Sequence, residues 1–207
     1  MNRIQHWESV YQRKAVDQVS WFQPRAATSL ELIESICPDR AVRIIDVGAG
    51  ASVLVDDLLE AGYCNLTVLD IAASALDVSK ARLGARAAQV DWRVGDVTTV
   101  DLPEAGFDVW HDRAVFHFLT EEEDRRRYVA QVLHAVRPGG HVIVATFGPN
   151  GPLKCSDLEV RRYAPEDLHG EFGAEFDLLG HHTESHRTPA GKDQEFVYCY
   201  CRRGFDV

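Results

Sequence analysis

A chain of 207 residues, 45% hydrophobic and 26% charged, has ordinary globular composition and enough length for one domain with a sizeable core, which excludes disordered and fibrous classes. Its 22 Lys and Arg against 32 Asp and Glu give a formal charge of −10, a balance that argues against a nucleic-acid partner, because phosphates are bound by clustered cations. The five cysteines (Cys37, Cys64, Cys155, Cys199, Cys201) lack paired metal-ligand spacing, and no apolar leader or membrane-length run occurs, so the expectation is a cytoplasmic chain with no metal and no membrane partner.

Ile4, Trp7, Val10 and Tyr11 have helical spacing and predict a helix over 4–14. The loop Ser20-Trp21-Phe22-Gln23-Pro24 leads to a second helix over 28–36, broken by Cys37-Pro38-Asp39. Val42 to Val47 is a nearly unbroken apolar run of the buried parallel type, ended by Gly48-Ala49-Gly50. Helical periodicity resumes over 51–61. The alternation then repeats: a strand over 66–70, a helix over 74–83 with Ser74 as N-cap, a strand over 90–94 and a strand over 107–112. A helix over 121–136 follows, stopped by Pro138-Gly139-Gly140, then a strand over 141–147. Within that helix, Glu121 to Asp124 and Arg125 to Arg127 read as a solvated face with i,i+4 pairs. A short helix over 164–168 precedes two strands, 176–186 and 195–202, joined by Thr188 to Lys192; Cys199 and Cys201 share one strand face.

Strands alternating with helices imply crossovers and a Rossmann-like, doubly wound α/β sheet, mostly parallel with an antiparallel C-terminal strand. One domain over 1–207 is expected, with a helical cap over 1–38, a cofactor-binding core over 39–147 and a substrate-side loop and hairpin over 148–207.

Gly48 and Gly50 stand where the first strand turns into a helix, a place where the backbone must bend tightly and approach a ligand closely. Asp70 ends the second strand, twenty residues after Gly50, where a carboxylate accepts from both hydroxyls of a ribose. Asp96 ends the third strand in Val94-Gly95-Asp96-Val97, placed to receive an adenine amino group while Val97 packs on the ring. Each acid alone is also a turn or cap residue, but three acids at three strand ends beside a glycine turn point to an adenosine ligand. A dinucleotide would need a small residue at Val53, so NAD fits poorly.

The same residues resemble the class I S-adenosylmethionine-dependent methyltransferases. Ile44-Ile45-Asp46-Val47-Gly48-Ala49-Gly50 is similar to that family's first motif, Asp70 to its second, Gly95-Asp96-Val97 to its third, and Arg137 to Val142 to the turn before its fifth strand. One departure is Ser52, where many members carry a third glycine. The resemblance implies a seven-stranded sheet, S-adenosyl-L-methionine as cofactor, and cofactor contacts by Asp46, Gly48, Ala49, Gly50, Asp70, Ile71, Asp96 and Val97. His6 to Tyr11, Ser20-Trp21-Phe22 and Val109 to Ala114 are similar to the thiopurine methyltransferase-like branch, which methylates small, soft nucleophiles. Some protein-lysine methyltransferases open with a similar Trp and Tyr pair.

Methyl transfer from a sulfonium is an in-line displacement in which the protein mainly aligns the reactants. Candidates for the acceptor side follow the fourth strand: His111 as a base, Asp112 as its orienter or a cation partner, and Arg113 as a holder of a substrate carboxylate. The alternative is that Asp112 caps a helix, Arg113 pairs with it, and His117 is a packed histidine. Trp7, Tyr11 and Trp21 form either an aromatic lid over the cofactor or a hydrophobic staple on the sheet edge. His134, His181, His182 and His186 show no metal spacing. The expected activity is methylation of a small-molecule thiol or metabolite. The alternatives are a protein-lysine methyltransferase, a catalytically silent cofactor-binding module, and a small NAD-linked reductase.

Overall fold

A computed structural model describes residues 2–13 and 15–205. Seven strands form one sheet: β1 (Arg43–Val47), β2 (Asn65–Asp70), β3 (Val90–Val94), β4 (Phe107–Arg113), β5 (Val136–Phe147), β6 (Phe176–Arg187) and β7 (Asp193–Arg203). Their spatial order is β3-β2-β1-β4-β5-β7-β6. The first five pair in parallel, whereas β7 runs antiparallel to both β5 and β6. The expected doubly wound sheet is therefore present, with the terminal hairpin forming its reversed edge.

Helices cover both faces. On one side α2 (Ala27–Ile36), α3 (Leu54–Glu60) and α4 (Ala73–Leu83) bury Ile33, Leu58 and Leu76 against Ile44, Val68 and Ile143. On the other, α5 (Glu122–Ala135) and α6 (Pro165–Gly170) bury Tyr128, Val132 and Leu168 against Ile45, Trp110 and Val144. Adjacent strand residues thus feed opposite cores, as the two-residue side-chain period of a strand requires. Cys199 and Cys201 lie together in the second core. The first helix, α1 (Arg3–Arg13), lies across the strand ends; Lys14, which ends the expected helix, lies outside the described residues.

Three local expectations are corrected. Ser74 does not cap α4: its N-terminal amides are taken by Glu8 of α1, whose Oε1 accepts from Ala73 N at 2.7 Å and lies 3.5 Å from Ser74 N. Pro138-Gly139-Gly140 does not precede β5 but lies within it, absorbed where the register against β4 jumps between the Phe107–Val136 and Val109–His141 pairs. Arg125 is not on a solvated face. It is buried, bonding the carbonyls of Leu119 and Thr120 and Glu171 at 3.1 Å, while Arg126 and Arg127 make the i,i+4 pairs with Glu122 and Glu123. A small unforeseen ribbon pairs Lys154–Cys155 with Leu158–Glu159 and brings Cys155 toward the strand ends.

Candidate functional site

The turn after β1 places Gly48 at φ +61° and Gly50 at φ +54°, both in the region that favours glycine. Two neighbours press on it. A β-carbon on Gly48 would stand 1.8 Å from Val115 Cγ2, and one on Gly50 would stand 2.1 Å from the Tyr11 hydroxyl. Asp70 ties the turn to β2: one carboxylate oxygen accepts from Gly50 N at 2.7 Å and the other from Ala72 N at 2.8 Å. Burial pushes the Asp70 carboxyl up to about 6, partly opposed by those two backbone bonds.

Asp96 closes the next strand end in an Asx turn. Its Oδ1 accepts from Thr98 N at 2.9 Å and Thr98 Oγ1 at 2.7 Å, while Oδ2 lies 3.9 Å from Arg3 of α1. Arg3 also pairs with Asp124 of α5. Gly48, Asp70, Ile71, Asp96 and Val97 line one cleft with an empty volume of ≈ 780 Å³, mouth included. Its roof is aromatic: Trp7 meets Phe118 edge-on at 5.0 Å and Trp21 at 5.8 Å, and Tyr11 meets Trp21 at 6.3 Å between centroids. Gly50 itself is screened from the cleft by Tyr11 and Asp70.

A second cavity, ≈ 560 Å³, adjoins on the other side of the glycine turn and is lined by Ala49, Asp46, His111 and Ser29. Trp21 and Arg113 wall both spaces. Arg113 donates through Nε to Tyr198 Oη at 2.9 Å, stacks 4.0 Å over the Phe196 ring, and sets Nη2 3.5 Å from Glu184, where Nη2 has no hydrogen-bond partner. The 3.5 Å separation is thus an ion pair without hydrogen-bond geometry. Asp46 is likewise half-satisfied: Oδ1 is bonded to His111 and Oδ2 is buried with no partner.

Asp112 lines neither space, and the expected roles as a base orienter or cation partner are corrected here. Its carboxylate is fully buried, accepting from Val115 N at 2.8 Å, Phe116 N at 3.1 Å and Tyr128 Oη at 2.6 Å. Burial pushes this carboxyl up to about 6, with the Tyr128 and backbone bonds acting the other way. It holds the turn in which Ala114 adopts φ +79° and which drives Val115 onto Gly48. His111 is buried, with both ring nitrogens engaged, by Asp46 at 2.7 Å and Ser29 at 2.8 Å. His117 is packed at 4.6 Å on Phe147, and burial lowers it to about 3. Arg3, Glu8 and Ser29 were not singled out as site residues in the sequence. They meet the site only through the tertiary fold.

Residues 44–140, a little under half of the chain, match the methyltransferase-domain family. The matched stretch contains the glycine turn, Asp70 and Asp96. The chain is 25% identical over 157 residues to an eEF1A lysine and N-terminal methyltransferase of Bos taurus, covering 73% of this chain and 22% of that relative. It therefore spans about a fifth of the length of the first curated relatives it matches. A protein solved in work on the conversion of a disulfide bond into a thioacetal group during echinomycin biosynthesis superposes with a TM-score of 0.80 at 18% identity, over 100% of this chain and 93% of its own. A Burkholderia thailandensis 1,6-didemethyltoxoflavin-N1-methyltransferase, solved with S-adenosylhomocysteine bound, gives 0.67 at 19%, over 94% and 81%. At these identities the two structures speak for the fold of the methyltransferase domain alone. No helix among the described residues is long and apolar enough to cross a membrane.

Proposed function

We propose that the chain is an enzyme that transfers a methyl group from S-adenosyl-L-methionine to a small-molecule nucleophile, a thiol or a carboxylate-bearing metabolite. One observation carries this reading: a cleft edged by Gly48, Asp70 and Asp96 opens beside a cavity lined by Asp46 and Arg113, where Asp46 Oδ2 has no partner and Arg113 Nη2, ion-paired with Glu184, makes no hydrogen bond. Asp70 suits the ribose hydroxyls, Asp96 Oδ2 the adenine amino group, and Val97 the ring. Asp46 Oδ2 and Arg113 Nη2 complement the ammonium and carboxylate of an amino-acid tail. When bound, the cofactor supplies an electrophilic methyl on a sulfonium.

The chain's own part is alignment and exclusion of water. Trp7, Tyr11 and Trp21 roof the cleft and offer ring faces to a cation. Arg113, at the boundary of the two spaces, is the residue we assign to an acceptor carboxylate as well as to the tail. With Asp112 and His111 both engaged, a thiol acceptor is favoured, since its thiolate is accessible near neutral pH without a strong base. The likeness of residues 6–11, 20–22 and 109–114 to the thiopurine methyltransferase-like branch is what supports that branch. We read residues 1–207 as one domain, with 1–38 as its cap. The free thiols of Cys37, Cys64, Cys199 and Cys201 support a reducing cytoplasm as its location.

A second reading is protein-lysine methylation, favoured by the names of the bovine, mouse and human relatives. Incubation with methyl-labelled cofactor, metabolite extracts and whole lysate separates the readings. Label in small molecules supports ours; label confined to a protein band overturns it. Tight S-adenosylhomocysteine binding with no label in any fraction identifies a silent cofactor-binding module.

A further inference from the structure

The parallel pairing of β1 with β4 sets Asp46 directly opposite His111. Nδ1 of His111 donates to Asp46 Oδ1 at 2.7 Å, and Nε2 meets Ser29 Oγ of α2 at 2.8 Å. Relative exposures of 4%, 2% and 1% for Asp46, His111 and Ser29 show the triplet buried beside the second cavity. The imidazole is therefore fixed at both nitrogens between a strand and a helix. Its bond to Oδ1 determines the rotation of the Asp46 carboxylate and leaves Oδ2 as the oxygen that has no donor. That oxygen belongs to a side chain lining the cavity beside Gly48 and Ala49. An unpaired buried carboxylate oxygen is costly unless a ligand supplies the missing donor, and a cationic N–H does so best.

We propose that His111 is a positioning residue for cofactor binding: it holds Asp46 so that Oδ2 is presented to the ammonium of the cofactor's amino-acid tail, with Ser29 holding the imidazole in turn. The inference rests on the reading of that cavity as the seat of the tail. It replaces a proton-transfer role for His111 with a task in recognition. At metal sites, losing an outer partner that orients a ligating group typically costs roughly 10–100-fold in affinity, and the same logic applies to a carboxylate held for an ammonium.

The test uses two ligands that share a thioether nucleoside and differ in the tail: S-adenosylhomocysteine carries the amino acid, and 5′-methylthioadenosine lacks it. Calorimetry is run on the full chain and on His111→Leu, His111→Asn and Ser29→Ala. His111→Leu is expected to weaken S-adenosylhomocysteine by roughly tenfold or more while methylthioadenosine stays within about twofold. His111→Asn keeps an N–H near the place of Nδ1 and recovers most of the affinity. Ser29→Ala shows a smaller loss, again confined to the tailed ligand, and carries the test if His111→Leu does not fold. Equal losses for both ligands, or no loss for either, overturn the positioning role while leaving the cofactor reading intact. If the unsubstituted chain binds methylthioadenosine but gains nothing from the tail, the tail seat itself is wrong and both readings fall.

Discussion

Val115 fills the space that a β-carbon on Gly48 would occupy, with its Cγ2 1.8 Å from that position. The glycine is therefore required by the protein's own packing as well as by any ligand. Gly48→Ala combines this clash with a φ of +61°, and is expected to cost about 2–4 kcal/mol. Val115→Ala alone should cost about 1–2 kcal/mol. In the double variant the Cγ2 overlap is gone and only the 3.2 Å approach of Val115 Cβ remains, so the two effects should sum to less than their separate values in urea unfolding. Strict additivity would mean that the turn and the Val115 segment do not press on one another.

On the proposed reading of the cleft, Asp70 couples cofactor affinity to pH. Its native carboxyl keeps a proton up to about 6, because it is buried, whereas an unfolded aspartate releases one near 4. Between those values the folded state holds the extra proton, so this group's contribution to stability falls as pH rises through the window. Ligand binding has the opposite sign, since ribose hydroxyls need the ionised acceptor. S-adenosylhomocysteine affinity should rise with pH through about 6 and level off above it. Asp70→Ala should weaken binding by roughly tenfold or more and abolish that rise. Calorimetry from pH 5 to 8 measures both, and an unchanged affinity would reduce Asp70 to a turn residue.

Glu8 fastens α1 to the amino end of α4. Its carboxyl is held below the usual range, first by the nearby Ser74 hydroxyl and also by the Ala73 and Ser74 amides, against the effect of burial. Glu8→Ala should lower stability by about 1 kcal/mol, equivalent to some 2–4 °C in Tm. Hydrogen exchange should accelerate across residues 3–13 and not in β1 or β4. Uniform acceleration would show that α1 and the sheet open together.

Asp112 has a structural task, and its substitution should report as one. Asp112→Ala leaves two backbone amides and the Tyr128 hydroxyl without their acceptor, an expected cost of about 2–4 kcal/mol by chemical unfolding. A variant of native stability with lost turnover would restore Asp112 as a group acting on the acceptor.

The parts legible in the sequence were those with local signals. The glycine turn, the acids at strand ends and the helix–strand alternation each depend on residues within a few positions of one another. Ser74 failed as a cap because its competitor, Glu8, comes from a helix 66 residues away in the chain. His111 and Asp112 stood out as chemistry-bearing residues, but their tasks are set by β1–β4 register and by Tyr128 of α5, which no spacing reveals. Pro138-Gly139-Gly140 reads locally as a stop, and only the pairing of β4 with β5 carries the strand through it. Ser29 carries no signal in the sequence at all. It is an ordinary serine in a helix until α2 docks.

The roof and the floor of the cleft are built differently. The floor is woven into the sheet by backbone ladders, while α1 contributes no strand and is moored by the side chains of Arg3, Glu8 and Tyr11. Such a mooring reaches the nucleoside side of the cleft, because Arg3 faces Asp96 and Tyr11 packs on Gly50 beside Asp70. On the proposed reading, rewriting α1 would therefore retune acceptor entry and nucleoside grip together, on a sheet that stays the same.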